Sequence, residues 1–323
     1  MNICMVGYGM MGTWHTEALG GMDVCLHTLV GRRPEQAEGF AARYGYRKWT
    51  TDLSIALADD QIDVVILANP SEQHAETALA SLAHGKHTLV EIPLAMNLPD
   101  AERVVALARQ RNLRLGVVHP MRARSEMNEL RSRVIGGQEQ IRHVAGRFFI
   151  HRLENIGATG YRRSWTDNLL WHHTSHILDF ALWMVQAPIE NCYSFMSPID
   201  PRTGTPMDVA ICLETERDQS IVLTGSYYGR ERIWDTLVIT DQDSYRLDVF
   251  GPTLTTRSGP KPIAREDLNC GLITRDFVCA VKGSRPPMVT GESVLPSLRI
   301  LQQIQNRWDE KHGTRTIPGR QMA

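Results

Sequence analysis

Short apolar runs and amphipathic stretches alternate through the first 120 residues, and this alternation leaves few folds open to the chain. NICMVGYG, VCLHTLVG, VVILANP, HTLVEIP and LRLGVV read as strands. Between them, MGTWHTEALGGM, RPEQAEGFAARYG, SIALADDQ, EQHAETALASLAHG and LPDAERVVALARQRN carry a helical period. A strand apolar on both sides is buried on both faces, and helices between such strands are what cover a parallel sheet. Residues 1–120 are therefore expected to form an α/β domain with a doubly wound parallel sheet.

From residue 121 to 323 the texture differs. After a helix near 123–136, the segments HVAGRFFI, NCYSFMSP, DVAICLE, QSIVLTGSYY, DTLVITD and YRLDVFG are short, β-branched or aromatic, and separated by turn residues. They predict an α+β domain with an open, mostly antiparallel sheet. A helix over 168–185 falls between the first two strands, and SVLPSLRILQQIQNRWDEK closes the chain as a helix. A length of 323 residues fits two such domains, 1–120 and 121–323, since single cores rarely serve more than about 200 residues.

GYGMMG at 7–12 matches GxGxxG, and here it follows a strand and opens a helix. That context makes the first domain a Rossmann dinucleotide fold. Gly7 permits the tight turn, Gly9 lets a pyrophosphate approach, Gly12 lets helix and strand pack, and Met10 and Met11 lie at the helix entry. The end of the second strand separates the two nicotinamide cofactors. Asp or Glu there holds the NAD ribose, whereas this chain reads VGRRPEQ, with Gly31 followed by Arg32 and Arg33. Two guanidinium groups suit a 2′-phosphate, so NADP is expected ahead of NAD.

The segment LLWHHTSHILDFALW puts three histidines and an aspartate into an otherwise apolar helix. His172, His176 and Asp179 stand at i, i+4 and i+7, which stacks them on one face, while His173 lies about 100° away. Such a face is structural, metal-binding or catalytic. HxxxH can supply two zinc ligands, but there is no HExxH glutamate or evident third soft ligand, so no metal is expected.

A formal charge of -1 with 42% hydrophobic residues gives no basic surplus for nucleic acid or an anionic membrane surface. No apolar run reaches the roughly 18 residues of a membrane span. Six cysteines lie scattered without a CxxC pair, and Met1-Asn2 leads straight into a strand without a basic leader. A cytoplasmic protein with reduced thiols and a small-molecule ligand is the expectation.

GYGMMG, ANPSEQHAETALASLAHGKHTLVEIP and the His-rich helix together resemble the Gfo/Idh/MocA family of nicotinamide-dependent oxidoreductases, over essentially the whole chain. That resemblance implies cofactor contacts from Asn69, Pro70, Ser71, His74 and Glu91 at the carboxyl edge of the sheet. It also implies a substrate site in the C-terminal domain and a homo-oligomer, dimer or tetramer. Two departures stand out. Glu91-Ile92-Pro93 replaces the family's E-K-P, so its substrate-contacting lysine is missing, and His172 replaces the aspartate of D-x-x-x-H-x-x-D.

VEIPLA with RRSWTDNLLWHHTSHILD is similar to a member of the family that oxidises a cyclic hemiacetal dicarboxylate to a lactone. Losing hydride from a hemiacetal carbon requires a base for the hydroxyl proton, and imidazole suits that task at neutral pH. His176 matches the family's active-site histidine, with His172 and Asp179 orienting or tuning it. A dicarboxylate substrate calls for cations, and Arg122, Arg124 and Arg163 are the candidates, with His119, His173 and Trp165 or Trp171 as neighbours of the substrate. The alternatives are an oxidoreductase of the same family for a sugar, imine or aromatic acid, and a nicotinamide-binding sensor without catalysis.

Overall fold

The computed structural model describes residues 1–156, 165, 166, 168–264, 270–318 and 320. Its N-terminal strands are β1 (Asn2–Val6), β2 (Cys25–Val30), β3 (Lys48–Thr50), β4 (Val64–Leu67), β5 (His87–Val90) and β6 (Leu115–Val117). All pair in parallel, in the order β3-β2-β1-β4-β5-β6. The order reverses between β1 and β4, which is where an open α/β sheet leaves a crevice at the carboxyl ends of its strands. Ile3, Cys4, Met5 and all of Val64 to Leu67 are wholly buried, as a sheet covered on both faces requires.

The crossovers are α1 (Met10–Ala18), α2 (Pro34–Tyr44), α3 (Leu53–Leu57), α4 (His74–Ala83) and α5 (Leu98–Gln110). Their ends follow from side-chain chemistry. Asp52 caps α3 by accepting from the Ser54 amide at 2.8 Å, and Asn97 caps α5 by accepting from the Asp100 amide at 2.8 Å. α2 starts on Pro34 and stops at Gly45 in the left-handed region, φ 78°. β3 has no apolar run to announce it. Lys48 and Trp49 are exposed, the polarity of an edge strand.

The second sheet is longer and starts after α6 (Ser125–Ile135). Its first strand, β7 (Ile141–His151), is followed by a π-helical turn, Leu170–Thr174, that runs into α7 (Ser175–Val185). Then come β8 (Ile189–Met196), the ribbon β9 (Ile199–Asp200) with β10 (Thr205–Pro206), β11 (Asp208–Thr215), β12 (Ser220–Ser226) and β13 (Tyr228–Thr240). β14 (Ser244–Asp248), β15 (Thr253–Thr256) and β16 (Gly259–Pro262) complete it. Eight strands lie in the order β16-β15-β14-β13-β7-β12-β11-β8, with only β12 and β7 parallel. The open, mostly antiparallel sheet expected from the sequence is present. Along β11, Val209, Ile211 and Leu213 turn inward while Cys212 and Glu214 face out. Ile177, Leu178, Phe180 and Ala181 of α7 are wholly buried.

Two late helices, α8 (Gly271–Lys282) and α9 (Leu295–His312), belong to different parts of the chain's packing. The residues fall into two compact units. The first joins Met1–Pro120 to a late segment ending at Leu295, and the second holds Met121–Asn155, the middle of the chain and the residues from Pro296 onward. α8 is thus part of the Rossmann unit. Phe277 fills the space above Gly116 of β6, where a Cβ would come within 2.6 Å of its ring. Val117 donates to the Val289 carbonyl and Gly291 to that of Leu115, which covers the free edge of β6. In the second unit, α9 buries Leu298, Leu301, Ile304 and Trp308 at helical spacing. No helix among the described residues is long and apolar enough to cross a membrane.

Candidate functional site

The turn after β1 is shaped by its glycines. Gly7 has φ +109°, and a Cβ there would lie 2.4 Å from the Ala68 carbonyl oxygen, so no other residue fits. A Cβ at Gly12 would meet the Gly7 carbonyl oxygen at 2.3 Å, which is the close approach of α1 to the strand turn. Gly9 is the opposite case. Nothing lies within 4 Å of its Cβ position, and no side chain caps α1, so the approach to the first-turn amides at Met10, Met11 and Gly12 is open on the Gly9 side. An anion is the ligand such a helix entry accepts.

At the neighbouring edge, Asn69 donates to Thr77 Oγ1 at 3.1 Å, while its own Oδ1 is buried and has no hydrogen-bond partner among the described residues. A bound polar group is the natural partner for that atom. Pro70 and Ser71 lead through a 3-10 turn into α4. His74 has a different place from the one the resemblance implied. It is 1% exposed, its Nδ1 lies 2.7 Å from the Pro93 carbonyl oxygen and its Nε2 3.0 Å from that of Asn69, so it ties two loops together.

Glu91 is also drawn into the frame. His15 Nε2 lies 2.9 Å from its Oε1, and His15 Nδ1 lies 2.7 Å from Thr274 Oγ1 on α8. Cys270 stands close enough that His15, Glu91 and Cys270 place one donor atom each within 4.8 Å of one another. Both ring nitrogens already have partners, and burial pushes the Cys270 thiol far above its ordinary range, so this trio is a hydrogen-bonded core element. Ile92, where the family carries lysine, is 5% exposed.

The end of β2 shows why an acidic side chain is missing there. A Cβ at Gly31 would sit 2.4 Å from Tyr8 Cε1, because the Tyr8 ring lies over this glycine. Tyr8 Oη accepts from the Arg33 amide at 3.3 Å. Any Asp or Glu at 31 would have to displace Tyr8. Arg32 and Arg33 are exposed beside it. Sequence reasoning overlooked Tyr8, although it lies inside the glycine motif itself. The open Gly9, the uncapped helix and the orphaned Asn69 oxygen together fit a dinucleotide.

In the second unit, the π-helical turn alters the expected stacking of histidines. Asn168 Oδ1 accepts from the Leu170 and Trp171 amides, and the Thr174 amide then bonds back five residues to Leu169. A wider turn of this kind changes the phase of the side chains that follow. The His172 and His176 rings lie 6.3 Å apart at 87°, and His176 packs 5.3 Å from Trp234. His173, which the regular period turned away, stacks on Phe148 at 4.1 Å and meets Tyr227 Oη through Nδ1 at 2.6 Å. Arg152 donates to the same Tyr227 oxygen at 3.3 Å.

Asp179 is held by a cation. Arg122 grips it bidentately, Nε to Oδ2 at 2.7 Å and Nη2 to Oδ1 at 2.5 Å, with side-chain exposures of 4% and 1%. Ser297 Oγ adds a 3.3 Å bond to the same carboxylate. The guanidinium expected to meet a substrate is thus part of a buried ion pair. Arg124 is 1% exposed, His119 is buried at the end of β6, and Arg163 lies outside the described residues. Trp165 is buried against Tyr227, with Arg152 over its ring, whereas Trp171 is core and donates to Gln305.

Beside His173 opens a cavity of about 460 Å³. Phe148, Trp234 and Phe250 form its aromatic walls, and His151, Arg230 and Arg232 bring the polar groups. Neither arginine stood out in the sequence. The signal available was Arg-x-Arg-x-Trp, residues that alternate onto one face of a strand.

Residues 1–119 match the model of an oxidoreductase family with an NAD-binding Rossmann fold, and residues 126–246 match that of bacterial oxidoreductase C-terminal domains. The 4-carboxy-2-hydroxymuconate-6-semialdehyde dehydrogenase of Sphingobium sp. strain SYK-6 is 32% identical over 309 residues, 94% of this chain and 98% of that protein. Myo-inositol 2-dehydrogenase of Thermotoga maritima is 26% identical and is covered to 98%, as is this chain. Among solved structures, levoglucosan dehydrogenase in complex with NADH and levoglucosan shares the fold at a TM-score of 0.83 and 17% identity, covering 96% of this chain and 98% of that one. UDP-N-acetylglucosamine 3-dehydrogenase from Acidithiobacillus ferrooxidans does so at 0.81 and 19% identity, over 95% and 97%.

Proposed function

The chain belongs to the Gfo/Idh/MocA family of oxidoreductases, and on that premise we propose that it is an NADP-dependent dehydrogenase for 4-carboxy-2-hydroxymuconate-6-semialdehyde. The substrate reacts as its cyclic hemiacetal and leaves as 2-pyrone-4,6-dicarboxylate, a step in protocatechuate 4,5-cleavage. The full-length likeness to a dehydrogenase of that name supports the substrate. One observation carries the chemistry: Ile92, where the family has its lysine, is 5% exposed, and the proton acceptor is sought among the histidines of the mid-chain helix.

In this reading His176 takes the hydroxyl proton as the hemiacetal carbon becomes the lactone carbonyl, and His172 and His173 bound the same surface. A positioned base contributes about 10²–10⁴-fold. Bound nicotinamide supplies the hydride acceptor. Gly9, the first amides of α1 and Asn69 hold the dinucleotide, and Arg32 and Arg33 pair with a 2′-phosphate beside Tyr8.

Purified protein given NADP and the ring-cleavage product of protocatechuate is expected to generate absorbance at about 340 nm, the signal of a reduced nicotinamide. Turnover of a sugar or imine in place of this compound would reassign the substrate, and dinucleotide binding with no turnover of either would make the protein a sensor.

A further inference from the structure

We infer that Arg230 and Arg232 form the carboxylate-recognition site of the aromatic cavity in the second unit, which takes a flat ring bearing two carboxylates. The inference rests on the dehydrogenase reading for the identity of that ring, and on the cavity itself for everything else.

Four features converge. Arg230, Arg232 and Trp234 of β13 all line the cavity, and Trp234 pairs directly with Phe148 of β7, which lines it too. The register slips between Tyr228 and Ile233, so residues 229–232 stand opposite Ile150 alone. A bulge of this kind frees a strand from its ladder and re-aims its side chains. Gly229 begins the slip, and a Cβ there would come within 2.8 Å of Phe149 Cβ, so the backbones crowd at the point where the arginines leave the sheet.

The electrostatics agree with an anion. No carboxylate lines the cavity among the described residues, whereas two guanidiniums and the rings of His151 and His173 do. Glu231, between the arginines, is not among the residues that line the cavity, and its charge acts on Arg147. Arg232 holds its guanidinium 4.3 Å from the centre of the Phe250 ring, which fixes the plane of its donors. An aromatic floor accepts the face of a planar ring, and two forked donors at its rim accept carboxylates bidentately. Arg122, by contrast, is buried and paired bidentately with Asp179.

The test is calorimetric titration of the full-length protein with pyridine-2,4-dicarboxylate, a stable flat diacid, and with pyridine-2-carboxylate. Wild type is expected to bind the diacid more tightly than the monoacid. Arg230→Gln and Arg232→Gln should each weaken diacid binding roughly 10- to 100-fold, and the lysine variants should recover part of it, since an ammonium lacks the fork. Equal diacid affinity in wild type and both glutamine variants would overturn the assignment, as would equal affinity of wild type for the two acids. Steady-state turnover of the semialdehyde separates the two levels. Wild-type turnover with KM unchanged in both variants removes the carboxylate assignment and leaves the dehydrogenase reading standing. No wild-type turnover, with diacid binding lost in the variants, does the reverse.

Discussion

Replacing Asp179 by Asn strands the Arg122 guanidinium inside the second unit. The two side chains are 4% and 1% exposed and share two charge-assisted bonds of 2.7 and 2.5 Å, so no water can substitute for the lost carboxylate charge. Removing one partner of such a buried pair costs about 3–5 kcal/mol, because the remaining charge stays desolvated. For a unit of this size each kcal/mol shifts the midpoint by roughly 2–4 °C, so the expected fall in Tm is about 6–20 °C by scanning calorimetry. The double variant Arg122→Met with Asp179→Leu removes both charges and should recover most of that loss. A single variant that melts within about 2 °C of wild type would refute the structural role given to the pair.

Arg32→Ala with Arg33→Ala should weaken NADP roughly 10- to 100-fold and leave NAD nearly unchanged by equilibrium titration, and equal losses would remove the NADP assignment. His176→Asn should lower kcat about 10²–10⁴-fold with the dinucleotide Kd intact. A base must be neutral to accept a proton, so wild-type kcat/KM falls on the acid side and the variant should lose that limb. Burial pushes the Cys4 thiol up to about 12 and that of Cys270 further, so at pH 8 only about one Cys4 in 10⁴ is thiolate. A disulfide reagent should therefore titrate the exposed Cys212 and Cys279 rapidly and spare Cys4 and Cys270 in the folded protein.

The Rossmann half was legible because its signals are local. Apolar runs, a glycine turn and helical periods each fit within about 30 residues, and the strand order follows from them. Elements whose stability comes from distant partners were silent. Lys48-Trp49-Thr50 is a polar edge strand, the hairpin at 253–262 ends the second sheet with β16 as its edge, and α8 reads as a helix only once Phe277 has Gly116 to pack on. The site divides in the same way. Gly7, Gly9 and Gly12 were found from spacing, whereas the Arg122–Asp179 pair joins residues 57 apart that no periodicity connects. His173 was set about 100° from His172 and His176 by a regular 3.6-residue period, which the π-helical turn does not keep, and Arg230 and Arg232 passed unnoticed because nothing local marks the register slip that brings them to the cavity.

Hydride removal from the hemiacetal carbon is most directly tested with substrate carrying deuterium at that position. After incubation with the protein and NADP, proton NMR of the recovered dinucleotide should show one deuterium at nicotinamide C4, on a single face, and the organic product should be the lactone without the label. Reduced dinucleotide bearing only protium at C4, or lactone that keeps its deuterium, would contradict the account.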